Sequence, residues 1–268
     1  MFSRVDPGAV AVLALSAGLY LYALARLRAR GVGISRWQQL AWWTGLGCFA
    51  IALIGPLDRL AEDLFSAHMG QHLLFAEVGA PLILIGIRSP VLLFMLPQAA
   101  LKSLARRRRL RALLGFLSRP LVAIPLYVLV LYAWHLEFMF VGALESEPLH
   151  LLQHWSFIAI SLLVWWSALE PNRRRMRGEL WKVGYIFGAR LGGMMLGMAF
   201  LVMRSPAYEA FYGQRAHEHG LTPVADQQIG GGLMLTLDAI IVFAALCFFF
   251  WRASEDDLEA QRKAAASG

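Results

Sequence analysis

Apolar residues occur along the chain in long stretches that are separated by short polar and charged segments. Seven stretches are long enough for an α-helix to cross a bilayer, since about 20 residues span the hydrocarbon core. They fall at 8–26, 37–56, 66–87, 119–140, 148–169, 180–203 and 226–251. The pattern predicts an all-α, polytopic membrane protein, a bundle of seven transmembrane helices in a single membrane domain over 1–268.

The composition agrees with a membrane protein. Of the 268 residues, 58% are hydrophobic and only 16% are charged, whereas soluble proteins contain about 25% charged residues. The two cysteines, Cys48 and Cys247, both lie inside apolar stretches. A disulfide framework and a cysteine-rich metal site are therefore excluded.

Basic residues lie mostly on one side of the predicted bundle. The segments 26–36, 88–119, 170–182 and 252–268 share that side and hold 20 of the 25 lysines and arginines. Because cytoplasmic loops carry the excess of positive charge, we expect the N-terminus outside and the C-terminus, with the tail 252–268, in the cytoplasm. The segment 91–117 is predicted to be a basic interfacial segment on anionic lipid.

All seven histidines fall on the outer side or in the outer half of a predicted span. His68 and His72 are four residues apart at the start of the third span, and His150 and His154 repeat this spacing at the start of the fifth. Residues i and i+4 share a helix face, so each pair can point both imidazoles the same way. His135, near the outer end of the fourth span, is predicted to reach the same depth.

A layer of imidazoles without thiolates suits copper, zinc or haem iron. Met69 and Met203 lie near the same layer, and a thioether favours Cu(I). The candidate metal ligands are His68, His72, His135, His150, His154 and Met69. Interhelical hydrogen bonding by the histidines and core packing by the methionines remain open. His217 and His219, on an outer loop, are expected to be solvated.

Three charged residues fall near the middle of predicted spans: Glu77, Arg190 and Asp238. Charged groups inside a membrane are costly, and they usually face the bundle interior and pair. An arginine between two acids predicts a buried ion cluster, which either fixes the helix register or belongs to a proton or cation path. Glycines spaced by four residues on the sixth span predict close helix packing.

Several short segments resemble one known family. They are 55–58 (GPLD), 66–74 (SAHMGQHLL), 80–86 (APLILIG), 150–154 (HLLQH) and 226–231 (DQQIGG). They are similar to the pattern of the multi-span CtaG family of cytochrome c oxidase assembly factors, over roughly residues 37 to 250. The resemblance implies a multi-pass protein of the bacterial inner membrane, not an enzyme, that helps to mature a haem-copper oxidase. It carries over the two histidine pairs by motif position.

One functional hypothesis follows from the residues and the resemblance together. The histidine cluster binds copper, expected as Cu(I), and helps to deliver it to a haem-copper oxidase subunit. A periplasmic copper donor and membrane lipid are the other expected partners, and no nucleic acid is expected. Three alternatives remain open: a haem-binding electron-transfer protein, a zinc-dependent intramembrane hydrolase and a metal-free assembly scaffold.

Overall fold

A computed structural model describes residues 7–169 and 181–267. The described residues form helices and contain no strand, which confirms the all-α prediction. The basic residues predicted at 170–182 lie outside the described residues, apart from Lys182. The helices pack into a bundle around one main apolar core.

Fourteen α-helices and one π-helical segment make up the described chain. They are α1 (Pro7–Arg28), α2 (Arg36–Ile54), α3 (Pro56–Ala61), α4 (Phe65–Leu73), the π segment (Leu74–Gly79), α5 (Ala80–Gly86), α6 (Val91–Met95), α7 (Gln98–Arg106), α8 (Arg108–Leu117), α9 (Pro120–His135), α10 (Glu137–Glu145), α11 (Glu147–Leu169), α12 (Trp181–Val202), α13 (Glu209–Glu218) and α14 (Pro223–Ser267). The last helix runs through the predicted cytoplasmic tail.

Five helices in the described chain are long and apolar enough to cross a membrane. They are Pro7–Arg28, Phe65–Gly86, Glu147–Leu169, Trp181–Val202 and Pro223–Glu255. A sixth results if α8 and α9, bent by 75° relative to each other, count as one span. The remaining predicted span corresponds to α2, which has 19 residues. The chain is therefore a membrane protein, and the count of seven spans stays a prediction.

The helical region predicted at 119–140 is divided at Leu136. α9 ends at His135, Leu136 is extended with φ −65° and ψ 134°, and α10 begins at Glu137. The Tyr208 hydroxyl donates a hydrogen bond of 2.7 Å to the His135 carbonyl. This bond satisfies a carbonyl that the helix end leaves without an intrahelical partner.

Glycines let α12 approach its neighbours on two sides. A Cβ on Gly192 would lie 2.9 Å from Val128 on α9, and one on Gly197 would lie 2.8 Å from the Gly231 carbonyl on α14. Such distances leave no room for a side chain. The close packing of α12 with α9 and α14 fixes the faces that these helices turn to the bundle interior.

The basic segment predicted at 91–117 contains two amphipathic helices. α7 and α8 meet at Arg107, and neither helix has a buried residue. Leu113, Leu114 and Phe116 of α8 are exposed beside its arginines. A helix with one basic and one apolar face is suited to a membrane surface, and its attachment to anionic lipid stays a prediction.

Candidate metal centre

Four of the predicted ligands come together between α4 and α11, where their rings form a closed set of contacts. Within α4 the ring centres of His68 and His72 are 4.4 Å apart, and within α11 those of His150 and His154 are 4.2 Å apart. Across the two helices, His68 lies 5.7 Å from His150 and His72 lies 5.2 Å from His154. We call these four residues the histidine quartet.

Three of the four quartet rings are buried in the protein, and the fourth is half-buried. His68, His72 and His154 are 1%, 7% and 6% exposed, and His150 is half-buried. Both ring nitrogens of His68 and His72, and Nε2 of His150 and His154, have no hydrogen-bond partner. Buried polar atoms are nearly always paired in proteins. Unpaired nitrogens on four neighbouring rings therefore indicate a place for a ligand.

The ring spacing is compatible with a shared metal ion. With metal–nitrogen bonds of about 2.0 Å, two imidazoles on one ion have ring centres about 5–6 Å apart. The contacts across the two helices, 5.7 and 5.2 Å, fall in that range. Within residues 7–169 and 181–267, however, no three His, Cys, Asp or Glu side chains are arranged to hold a metal ion. Binding therefore requires the rings to turn about their side-chain torsions.

An open cavity of about 1320 Å³ leads to the quartet. His68, His150 and His154 line the cavity. Its other charged lining residues are Asp58, Glu62, Asp63, Glu145, Glu147, Arg215 and Glu218. We call this space the outer cavity. Six carboxylates against one guanidinium create a negative potential, which draws cations towards the imidazoles.

The ring of His135 contacts none of the four quartet rings. Its ring contacts Phe140, Phe157 and Phe200, at 5.9, 6.3 and 5.8 Å between ring centres. His135 and His72 line a second, smaller pocket of about 40 Å³, together with Met69. The six predicted ligands are thus divided between the quartet and this inner pocket.

A comparison with protein families identifies the chain. The family described as cytochrome c oxidase caa3 assembly factor (CtaG) matches residues 18–256. The chain belongs to this CtaG family. The family predicted from the sequence is confirmed.

Two relatives of this CtaG-family chain are uncharacterized proteins of Mycobacterium bovis and Mycobacterium tuberculosis. Each is 25% identical to it over 256 residues. The match covers 91% of this chain and 38% of each relative, so the chain spans well under half the length of these curated relatives. No solved structure matches the chain.

Two of the CtaG-like segments hold the histidine-bearing helix α4 in place. Asp226 accepts hydrogen bonds from the backbone N–H groups of Phe65 and Ser66, at 2.7 and 3.0 Å, and so caps the N-terminus of α4. Gln71, which is fully buried, donates to the Ala52 carbonyl at 2.7 Å and to Asp58 at 2.8 Å. These polar groups have partners, and their role is to position α4.

The π segment turns Glu77 towards the interior of the bundle. In an α-helix, which rotates by about 100° per residue, Glu77 would face about 140° away from His72. In the π segment, hydrogen bonds join residues five apart, so the chain rotates by less per residue and Glu77 turns back towards the face that carries His72. His72 and Glu77 accordingly line the same inner pocket. The pattern of hydrophobic residues in the sequence does not indicate where a helix changes from α to π.

Glu77, Arg190 and Asp238 form a buried ion cluster. Arg190 forms an ion pair with Glu77, and its Nη1 lies 3.5 Å from Oδ1 of Asp238. Tyr127 and Trp165 donate hydrogen bonds to Glu77, at 3.1 and 3.3 Å. The Arg190 guanidinium also lies over the ring of Tyr127, 4.6 Å from its centre. Two acids and one base are thereby joined across three helices.

Two of the buried methionines line the inner pocket, and Met203 does not. Met69 is 2% exposed and Met234 is 4% exposed, and both line the inner pocket. Met203, the other methionine predicted near the layer, packs against the main core and does not line this pocket. Met234 was not among the predicted ligands, since it lies in the middle of an apolar stretch. Its place beside His72 depends on how α14 packs against α4.

The outer-loop histidines remain at the surface. His217 is exposed, and His219 contacts Asp63, with 3.1 Å between Nε2 and Oδ2. His219 is thus near the rim of the outer cavity, which Asp63 lines. Neither residue has ring contact with the quartet.

Proposed function

We propose that the histidine quartet binds copper as Cu(I) and passes it to a subunit of the haem-copper oxidase that this assembly factor serves. The observation that carries the proposal is the group of unpaired, buried imidazole nitrogens at the base of an acidic cavity. Neutral imidazoles bind Cu(I) without a change of redox state. A site that must rotate its rings to close can also open again to release the ion.

The proposal includes a membrane topology. Seven spans place the N-terminus outside and the C-terminus in the cytoplasm of a bacterial cell. The quartet then lies near the outer face of the inner membrane, on the side from which a periplasmic donor supplies copper. The excess of arginine and lysine on the opposite side supports this orientation.

A direct test is a Cu(I) titration of the purified full chain in detergent, against a chelator of known affinity. In the variant His68→Ala/His72→Ala/His150→Ala/His154→Ala, we expect Cu(I) affinity to fall by more than about 100-fold, because ligands and nearby groups each contribute about 10-fold or more. The matched control is His217→Ala/His219→Ala, which removes two imidazoles outside the quartet and should leave the affinity unchanged.

Other outcomes identify the alternatives. A Soret band in the purified protein would favour haem binding by the histidines. A folded protein that takes up no metal would favour a metal-free scaffold. Either result would contradict copper binding by the quartet. Delivery is tested in cells that lack their own family member, where the quartet variant should leave the oxidase short of copper and the control variant should restore it.

A further inference from the structure

The inner pocket is separate from the outer cavity, and the two spaces share no lining residue. Its volume of about 40 Å³ is enough for a single ion or water, which needs at least about 10–15 Å³. The nitrogen and sulfur donors that line it are His72, His135, Met69 and Met234. Of these, only His72 belongs to the quartet, and none lines the outer cavity.

His135 is held in the form that a metal ligand requires. Its Nδ1 lies 2.7 Å from the Leu131 carbonyl. A carbonyl can only accept, so Nδ1 carries the proton and Nε2 has a free lone pair. This Nε2 is buried and has no hydrogen-bond partner. Metal-binding histidines commonly use the same arrangement, in which one ring nitrogen donates to a carbonyl and the other binds the ion.

The donor set is soft. Thioether sulfur and neutral imidazole are ligands that favour Cu(I) over the hard cations, which prefer oxygen. Met69 reaches the pocket from α4 and Met234 from α14, and both are buried. Because methionine also fills cores, the sulfurs count as ligands here only together with the unpaired nitrogens of His72 and His135.

The floor of the pocket supplies negative charge. Glu77 and Asp238 line it, and the nearby Arg190 is their shared cationic partner. Asp238 keeps an oxygen without a hydrogen-bond partner, Oδ1, at 3.5 Å from Arg190. Gly193 makes room for this carboxylate, because a Cβ there would overlap Oδ2 of Asp238. Two acids facing one base favour a monovalent cation beside them.

We propose that the inner pocket is a second Cu(I) site, formed by His72, His135, Met69 and Met234. This inference rests on the proposed function, in which the quartet binds the same ion. Neutral His72 has one lone pair for a metal, so it binds one ion at a time. With both sites filled, His72 belongs to the inner pocket, and His68, His150 and His154 hold the outer ion. Because His72 can also bind with the quartet, an ion can move to the inner pocket by exchanging one ligand at a time. The outer cavity, the quartet and the inner pocket then form one path from the surface into the bundle.

The test measures how many Cu(I) ions bind and whether sulfur is among their neighbours. The full chain in detergent is loaded with Cu(I) under reducing conditions, its copper is counted by mass spectrometry, and X-ray absorption identifies the ligands. We expect two Cu(I) per chain with sulfur present. In Met69→Leu/Met234→Leu, which conserves side-chain volume, we expect one Cu(I) and no sulfur. The control Met195→Leu/Met198→Leu, on the exposed face of α12, should behave as the native chain does.

The two proposals fail in different ways. Equal copper content and equal spectra in the two methionine variants would overturn the inner site. Native protein that binds one Cu(I) through nitrogen alone would also overturn it, while leaving the quartet in place. The variant His150→Ala/His154→Ala removes two quartet ligands outside the pocket, and it should keep one Cu(I) with sulfur. If that variant kept both ions, the quartet would not be the outer site.

Discussion

Glu77 of the ion cluster and the histidine quartet are both buried and polar, yet their bonding differs. Glu77 accepts hydrogen bonds from Tyr127 and Trp165 and pairs with Arg190. Six of the eight ring nitrogens of the quartet are also buried, and these six have no hydrogen-bond partner. An unpaired buried polar group costs about 1–3 kcal/mol. A protein that keeps several such groups together gains something other than stability from them.

This difference distinguishes the polar side chains that hold the structure together from those that are available to bind a ligand. Asp226, Gln71 and Glu77 all have partners within the bundle, and each holds helices together. The six unpaired nitrogens of the quartet join no helices by hydrogen bonds, so removal of the quartet should affect binding more than folding. Four predictions test this separation, from the largest expected effect to the smallest.

Removal of Arg190, the cation of the ion cluster, should lower the stability of the protein more than any other change. Arg190→Met leaves Glu77 and Asp238 buried without their cation, and we expect the free energy of unfolding to fall by about 3–5 kcal/mol. Unfolding in detergent, followed by circular dichroism, measures this. The variant Glu77→Gln/Arg190→Met removes a charge of each sign and should recover part of the loss. No recovery would show that charge pairing is not the source of the stability.

Loss of two quartet ligands should show the opposite pattern. In His72→Ala/His154→Ala we expect Cu(I) affinity to fall by more than about 100-fold, which is about 2.7 kcal/mol. The free energy of unfolding should fall by less than about 2 kcal/mol, because the rings lose packing contacts but no hydrogen bonds. Chelator competition and unfolding, on the same preparation, give both numbers. A larger loss of stability with unchanged affinity would make the histidines structural.

Removal of the α4 cap should have a smaller effect on both properties. Asp226→Ala leaves the Phe65 and Ser66 N–H groups without their acceptor, and we expect a loss of about 1–2 kcal/mol in unfolding free energy. Cu(I) affinity should weaken by less than about 10-fold, since α4 loosens but keeps its ligands. Asp226→Asn retains an acceptor and serves as the control. Equal losses in the two variants would argue against capping.

Neutralisation of one carboxylate in the outer cavity should change only the rate of copper arrival. Glu62→Gln lowers the negative potential beside the quartet, so we expect association of Cu(I) to slow by about 2–5-fold at low ionic strength. The difference should shrink at high salt because ions screen the charge. Stopped-flow mixing measures the rate. Glu255→Gln, an equal change of charge on an exposed residue outside the cavity, should have no effect.

The apolar stretches and the family segments could be recognised from the sequence because both are local properties. A stretch of about 20 apolar residues indicates a helix wherever it packs, and α4 and α11 carry their histidine pairs at a spacing that puts both rings on one face. The break at Leu136 and the π segment before Ala80 could not be foreseen. At the first, the freed His135 carbonyl accepts a hydrogen bond from Tyr208, which is 73 residues away in the chain. The second reflects the fit of one helix among its neighbours.

The sequence by itself determined that this is an all-helical membrane protein of the CtaG family, with paired histidines on two helices. Tertiary structure decided that His68 and His72 meet His150 and His154, that the His135 ring contacts none of these four and lines the inner pocket with Met234, and that Asp226 caps a helix about 160 residues earlier in the chain. The physical reason is that helical periodicity fixes which residues share a face. Only the packing of small and large side chains between helices fixes which faces meet.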